Sequence, residues 1–166
     1  DLILDRGNNK LSIISVFRAF DLQSEGGISA FNWVKQLSVL LRGTLHEKAK
    51  FSFMIYDLNS DGLLSREEMF HFLKNSVARP PHDEDPEEIV RDLVDYVFKK
   101  LDIDHDGKVE FEDFMTAVER DPIMLEILGF CFPDTHIAEA FLSTFQENEP
   151  LKMKTKHRKL KSIKAR

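Results

Sequence analysis

Apolar residues recur along this chain at spacings of three and four, in runs broken at regular places by polar stretches. Ile13, Val16, Phe17 and Phe20 form one run; Ala49, Phe53 and Tyr56 form a second; Val94, Val97, Phe98 and Leu101 form a third. Such spacing places each set on one face of a helix, because side chains three and four residues apart are neighbours across a turn. Each run ends at a twelve-residue polar stretch: "DLQSEGGISAFN" at 21–32, "DLNSDGLLSREE" at 57–68 and "DIDHDGKVEFED" at 102–113. The helical spacing then resumes with Trp33, Leu37 and Leu40, with Met69, Phe72 and Leu73, and with Phe114, Ala117 and Val118. Helix, loop and helix, three times over, is an internal repeat and predicts an all-α fold.

Residues 78–86, "ARPPHDEDP", interrupt the pattern with three prolines and four acidic or basic residues, and read as a linker. Pro86 suits the first turn of the helix that follows. This divides the chain into an N-terminal lobe at 1–77, the linker at 78–86, a C-terminal lobe at 87–148 and a tail at 149–166. After Asp121-Pro122, the stretches "IMLEILGFCFPD" and "HIAEAFLSTFQ" each read as a helix with an apolar face, separated by Gly129 and Pro133.

The closely spaced anions of the loops need a physical reason, since like charges this near repel. In 57–68, Asp57, Asn59 and Asp61 offer side-chain oxygens, Leu63 its backbone carbonyl, Ser65 a hydroxyl acting through a water, and Glu68 two oxygens at once. Gly62 permits the sharp turn, because glycine tolerates positive φ without a side-chain clash. This is the EF-hand calcium pattern, position by position. In 102–113 the corresponding set is Asp102, Asp104, Asp106, the Lys108 carbonyl, Glu110 and Asp113. Its closing Asp is one methylene shorter than Glu, so a two-oxygen grip is harder to reach, and calcium and magnesium should compete there. In 21–32, Gln23, Glu25 and Asn32 replace the usual ligands, and the loop reads as a structural hand without metal. Hands pair through a short antiparallel β contact at the eighth loop position, here Ile28, Leu64 and Val109. The second and third loops pair on this reading, which leaves the first to pair with a hand upstream of Asp1 or with a second chain.

Composition adds less. The chain has 166 residues, 42% hydrophobic and 31% charged, ordinary values for a globular protein. No apolar run approaches a membrane span. One cysteine, Cys131, excludes an internal disulfide and fits a reducing compartment. Residues 152–166 hold eight Lys/Arg and no acid, so the rest carries 15 basic against 29 acidic residues. That acidic body argues against a nucleic-acid binder. The tail reads as disordered or solvated, with acidic tubulin surfaces, an anionic membrane or nucleic acid, or the chain's own body as other places for its charge. The start at Asp1 reads as a fragment, with an N-terminal hand or lipid signal lying upstream.

The stretches "RAFD", "LLRGTLHEKAKF", "YDLNSDGLLSREEMFHFLKNS", "EDPEEIVRDLV", "DIDHDGKVEFEDF" and "LGFCFPD" resemble the neuronal-calcium-sensor branch of EF-hand proteins, and within it the ciliary, calaxin-like family. The resemblance covers roughly residues 16–135 and includes the Asp that closes the third loop. It implies a cytoplasmic protein of the ciliary or flagellar axoneme that binds outer-arm dynein or its docking complex and makes motility respond to calcium. The first loop departs from the family, where it looks metal-competent, and the basic tail is not a family feature, so the chain reads as a paralogue.

No enzyme is expected. There is no glycine-rich phosphate loop, "HEKAK" at 46–50 lacks the second His of a zinc protease, and the six His are scattered. Met54, Met69, Met115 and Met124 either pack in the core or line an adaptable groove that opens for a partner helix on calcium binding. Ile137, Phe141, Leu142 and Phe145 have the spacing to lie in such a groove and compete. The alternative to a sensor is a static axonemal subunit or a calcium/magnesium buffer.

Overall fold

The computed structural model describes residues 13–74 and 85–145. These contain seven α-helices: α1 (Ile13–Phe20), α2 (Ala30–Arg42), α3 (Leu45–Tyr56), α4 (Arg66–Leu73), α5 (Pro86–Leu101), α6 (Phe111–Arg120) and α7 (Thr135–Ser143). Most of the linker read from the sequence and all of the basic tail lie outside the described residues. The fold is the all-α helix–loop–helix repeat, with α1–α2, α3–α4 and α5–α6 flanking the three loops.

Side-chain caps start α2, α3, α4 and α5. The Ser29 hydroxyl accepts from Asn32 N–H at the start of α2, and Asp85 accepts from Glu87 N–H at the start of α5. Thr44 with Glu47, and Ser65 with Glu68, form reciprocal capping boxes for α3 and α4. The Thr44 backbone N–H and then its hydroxyl hold the Glu47 carboxyl below its ordinary pKa.

One apolar core joins the elements. Phe20 of α1 meets Phe51 of α3 edge-on at 5.9 Å, and Phe53 of α3 meets Phe111 and Phe114 of α6 at 5.6 and 5.8 Å. Tyr56 packs on Phe72 of α4 and on Phe114. Of the four methionines of the sequence reading, Met69 is a fully buried core residue, and Met54, Met115 and Met124 are partly buried and pack against the core. Truncating a buried aromatic such as Phe114 to Ala costs about 3–5 kcal/mol in comparable cores.

Two elements differ from the sequence reading. The apolar stretch after Asp121 forms a 3-10 helix over Pro122–Glu126 rather than an α-helix. Its chain then turns at Gly129, so that Glu126 accepts from the backbone of Cys131 and Phe132 at 2.8 and 2.9 Å. The buried stripe of α2 is Asn32, Gln36 and Leu40, one residue out of register from the expected Trp33 and Leu37. Trp33 is half exposed, as is Phe17, and Ile13 and Phe31 are more so.

The Tyr56 hydroxyl lies 2.7 Å from the Gly129 carbonyl and accepts from the Cys131 thiol at 3.2 Å. Burial pushes that phenol well above its ordinary pKa, and pushes the Cys131 thiol up to about 12. A neutral, enclosed thiol packs and does not attack.

Candidate metal centres

The three loops follow one backbone path. The fourth position is left-handed in each, at Ser24 (φ 54°), Ser60 (φ 61°) and His105 (φ 63°). The sixth is a glycine of positive φ in each, at Gly26 (74°), Gly62 (85°) and Gly107 (84°). A side chain there would be strained, which is why all three loops keep glycine. The aspartate that opens each loop makes the same turn. Asp21 accepts from Gly26 N–H at 2.8 Å, Asp57 from Gly62 N–H at 2.9 Å, and Asp102 from Gly107 N–H at 3.2 Å.

What fills the turn differs. In 57–68, Asp61 N–H donates to Asn59 Oδ1 at 2.9 Å and to Asp57 Oδ1 at 3.2 Å, which gathers the three opening residues. Glu68 is buried and closes the loop. Its Oε1 accepts from Leu58 and Asn59 N–H at 2.7 and 3.2 Å, and its Oε2 from Ser65 N–H and hydroxyl at 2.9 and 2.8 Å. Leu63 N–H donates to Asp61 Oδ1, which turns the chain at the position expected to offer a carbonyl.

In 102–113, oxygens of Asp102, Asp104 and Asp106 lie within 4.8 Å of one another. Asp102 is buried, and its Oδ1 has no hydrogen-bond partner. A buried, unpartnered carboxylate oxygen beside two more carboxylates is costly without a cation, so the donor set fits a hard divalent metal. Asp113 reaches the same two places as Glu68, but from further off. Ile103 and Glu110 N–H donate to it at 3.3 Å each. Lys108 N–H donates to Asp106, and His105 is exposed on the outer side of the loop.

In 21–32 the third and twelfth positions bond to each other, while Asn32 Oδ1 stays buried without a partner. The Asn32 amide is buried and donates across the loop to Gln23 Oε1, joining the third and twelfth positions directly. The neutral amides that stand at these two positions thus bridge the loop.

Leu64 N–H donates to the Val109 carbonyl at 2.9 Å, the expected contact at the eighth positions of the second and third loops. It is one backbone bond rather than a strand pair, and no strand forms among the described residues.

The EF-hand domain pair family matches residues 46–119, which span both of the acidic loops. Three proteins named calaxin are similar over most of the chain. That of Xenopus laevis is 49% identical over 141 residues, 85% of this chain and 64% of its own length. That of Homo sapiens is 46% identical over 134 residues, 81% and 59%. That of Danio rerio is 47% identical over 138 residues, 82% and 66%. This chain is a calaxin-like EF-hand protein. It spans 59–66% of the length of these relatives.

Two features of this calaxin-like chain escaped its sequence. One is the Gln23–Asn32 bridge, which only the substitution of both ligand positions by amides hinted at. The other is Arg18, whose guanidinium reaches from α1 onto the second loop. Its acceptors are mostly backbone carbonyls, which carry no residue signature.

Proposed function

We propose that this chain is a calcium-binding regulatory protein whose loops 57–68 and 102–113 each hold one divalent cation. The arrangement around Glu68 carries the reading. A buried carboxylate closes a loop already turned at Gly62, opposite Asp57, Asn59 and Asp61, with the Leu63 carbonyl and a Ser65-bound water completing roughly seven oxygens. A bound calcium ion would supply the positive charge that this cluster lacks. Asp57 and Glu68 bind from opposite ends of the loop, so they tie α3 to α4. In the third loop, Asp102, Asp104, Asp106, Glu110, Asp113 and the Lys108 carbonyl take calcium or magnesium.

Occupancy then shifts the paired helices and exposes apolar surface to a protein partner, without catalysis. The family resemblance points to outer-arm dynein or its docking complex, with tubulin as a further contact, on the axoneme of a cilium or flagellum. No helix among the described residues is long and apolar enough to cross a membrane.

A second reading, a static subunit or calcium/magnesium buffer, is favoured by the longer contacts of Asp113 and by the self-closed first loop. Calorimetric calcium titration with about 1 mM magnesium, followed in parallel with a hydrophobic dye, separates the two. Sites at roughly 10⁻⁷–10⁻⁵ M with a rise in dye binding make a switch. Binding without a dye response, or binding that magnesium blocks, leaves the static role.

A further inference from the structure

Arg18 sits near the end of α1, in the hand that closes itself without metal. Half-buried, it lines a cavity of about 410 Å³ between the first and second loops. Its guanidinium donates to the carbonyls of Leu58 and Asp57, the latter at 2.6 Å, and to Ser60 Oγ at 2.7 Å. The peptide group whose carbonyl belongs to Asp57 carries the Leu58 N–H, and the next one joins the Leu58 carbonyl to the Asn59 N–H. Both of those N–H groups donate to Glu68 Oε1. Two consecutive peptide planes are therefore held between a guanidinium outside the loop and the closing carboxylate inside it. A carbonyl that accepts from a cation is polarised, and the N–H of the same peptide group becomes a stronger donor.

We propose that Arg18 is a positioning residue for the second loop: it fixes the two peptide planes that aim the Glu68 carboxylate at the metal position. The inference rests on the reading of 57–68 as a metal loop. Two effects oppose each other. The guanidinium charge disfavours a second cation nearby, while the fork that holds the planes lowers the cost of ordering Glu68. The charge stands behind two peptide groups at a partly exposed position, where solvent and salt screen it, so the ordering effect wins. The third loop is an internal control. Ile103 N–H donates to Asp113, yet among the described residues no side chain donates to the carbonyls of Asp102 or Ile103.

The test follows each loop through its own glycine amide. Gly62 N–H is bonded to Asp57, and Gly107 N–H to Asp102. Calcium is titrated into the full chain, as wild type, Arg18→Met and Arg18→Lys, with both resonances read by NMR. Removing a group that orients a metal ligand weakens affinity about 10–100-fold, so Arg18→Met should weaken the Gly62-reported affinity about tenfold and move the Gly107 value less than about twofold. Arg18→Lys keeps the charge but loses the fork, and should fall between. A Gly62-reported affinity in Arg18→Met equal to or tighter than wild type overturns the proposal, as do equal losses at both glycines. Should Arg18→Met fail to fold, Arg18→Lys decides by the same criterion, a loss confined to Gly62. A wild-type Gly62 resonance that ignores calcium overturns the metal reading together with this inference; a normal response that survives the Arg18 variants overturns this inference alone.

Discussion

The second and third loops share a backbone path and face each other through the Leu64–Val109 bond, yet they close differently. Glu68 is buried and makes four contacts of 2.7–3.2 Å with Leu58, Asn59 and Ser65. Asp113 is only half-buried, and its two equivalent contacts stretch to 3.3 Å. The cause is one methylene: a shorter arm from the same helical position does not reach as far into the loop. The third loop compensates with charge, setting Asp104 where the second has Asn59. If both hold a hard cation, the closely bonded, longer-armed loop and the more anionic one should differ in selectivity before they differ in affinity.

The largest effect should come from breaking the better-made closure. Glu68→Gln removes the proposed closing ligand, so the calorimetric affinity of the second loop should fall by more than the roughly 100-fold that a lost supporting hydrogen bond costs. The third loop should keep most of its own. Next, Asp113→Glu should erase the difference between the loops by restoring the longer arm. We expect about a tenfold rise in the preference for calcium over magnesium at 102–113, measured by competition titration. An unchanged ratio would mean that the extra anion, not the arm, sets selectivity.

A smaller effect tests the first loop, which replaces an ion with an amide bridge. Asn32→Ala should cost about 1 kcal/mol, read as a lower urea midpoint, because Gln23 loses its buried partner. That loss should be the same with and without calcium. Smallest is the Thr44–Glu47 box at the start of α3. The Glu47 carboxyl is held below its ordinary value, so its contribution is present above about pH 4.5 and is lost as pH falls through the lower folded value. Glu47→Gln should therefore lower the melting temperature slightly at pH 7, and the difference should shrink as the pH falls below about 4.5.

Much of this was legible in the sequence because calcium chemistry dictates residue type at fixed offsets. Asp57, Asp61, Gly62 and Glu68 can be read without coordinates, and so can the amides at positions 23 and 32 that set the first loop apart. The helices flanking the loops followed from spacing alone. The failures share a cause. The α2 stripe shifted by one residue because Asn32, a polar residue, takes the buried place at the loop's end. The 3-10 turn at 122–126 follows from Pro122 and the later turn at Gly129, where spacing is too short to separate helix types. The reach of Arg18 and the seating of Tyr56 against Gly129 join residues 39 or more positions apart to backbone oxygens, and no local pattern encodes such a partner.

Trp33 is the chain's single tryptophan, and it stacks on Phe20 at 5.2 Å in the hand whose loop closes on itself. Indole emission therefore originates beside the one loop whose sequence reads as a hand without metal. On that reading, a change in indole fluorescence when calcium is added has travelled there from another hand, which turns an ordinary optical signal into a measure of transmission.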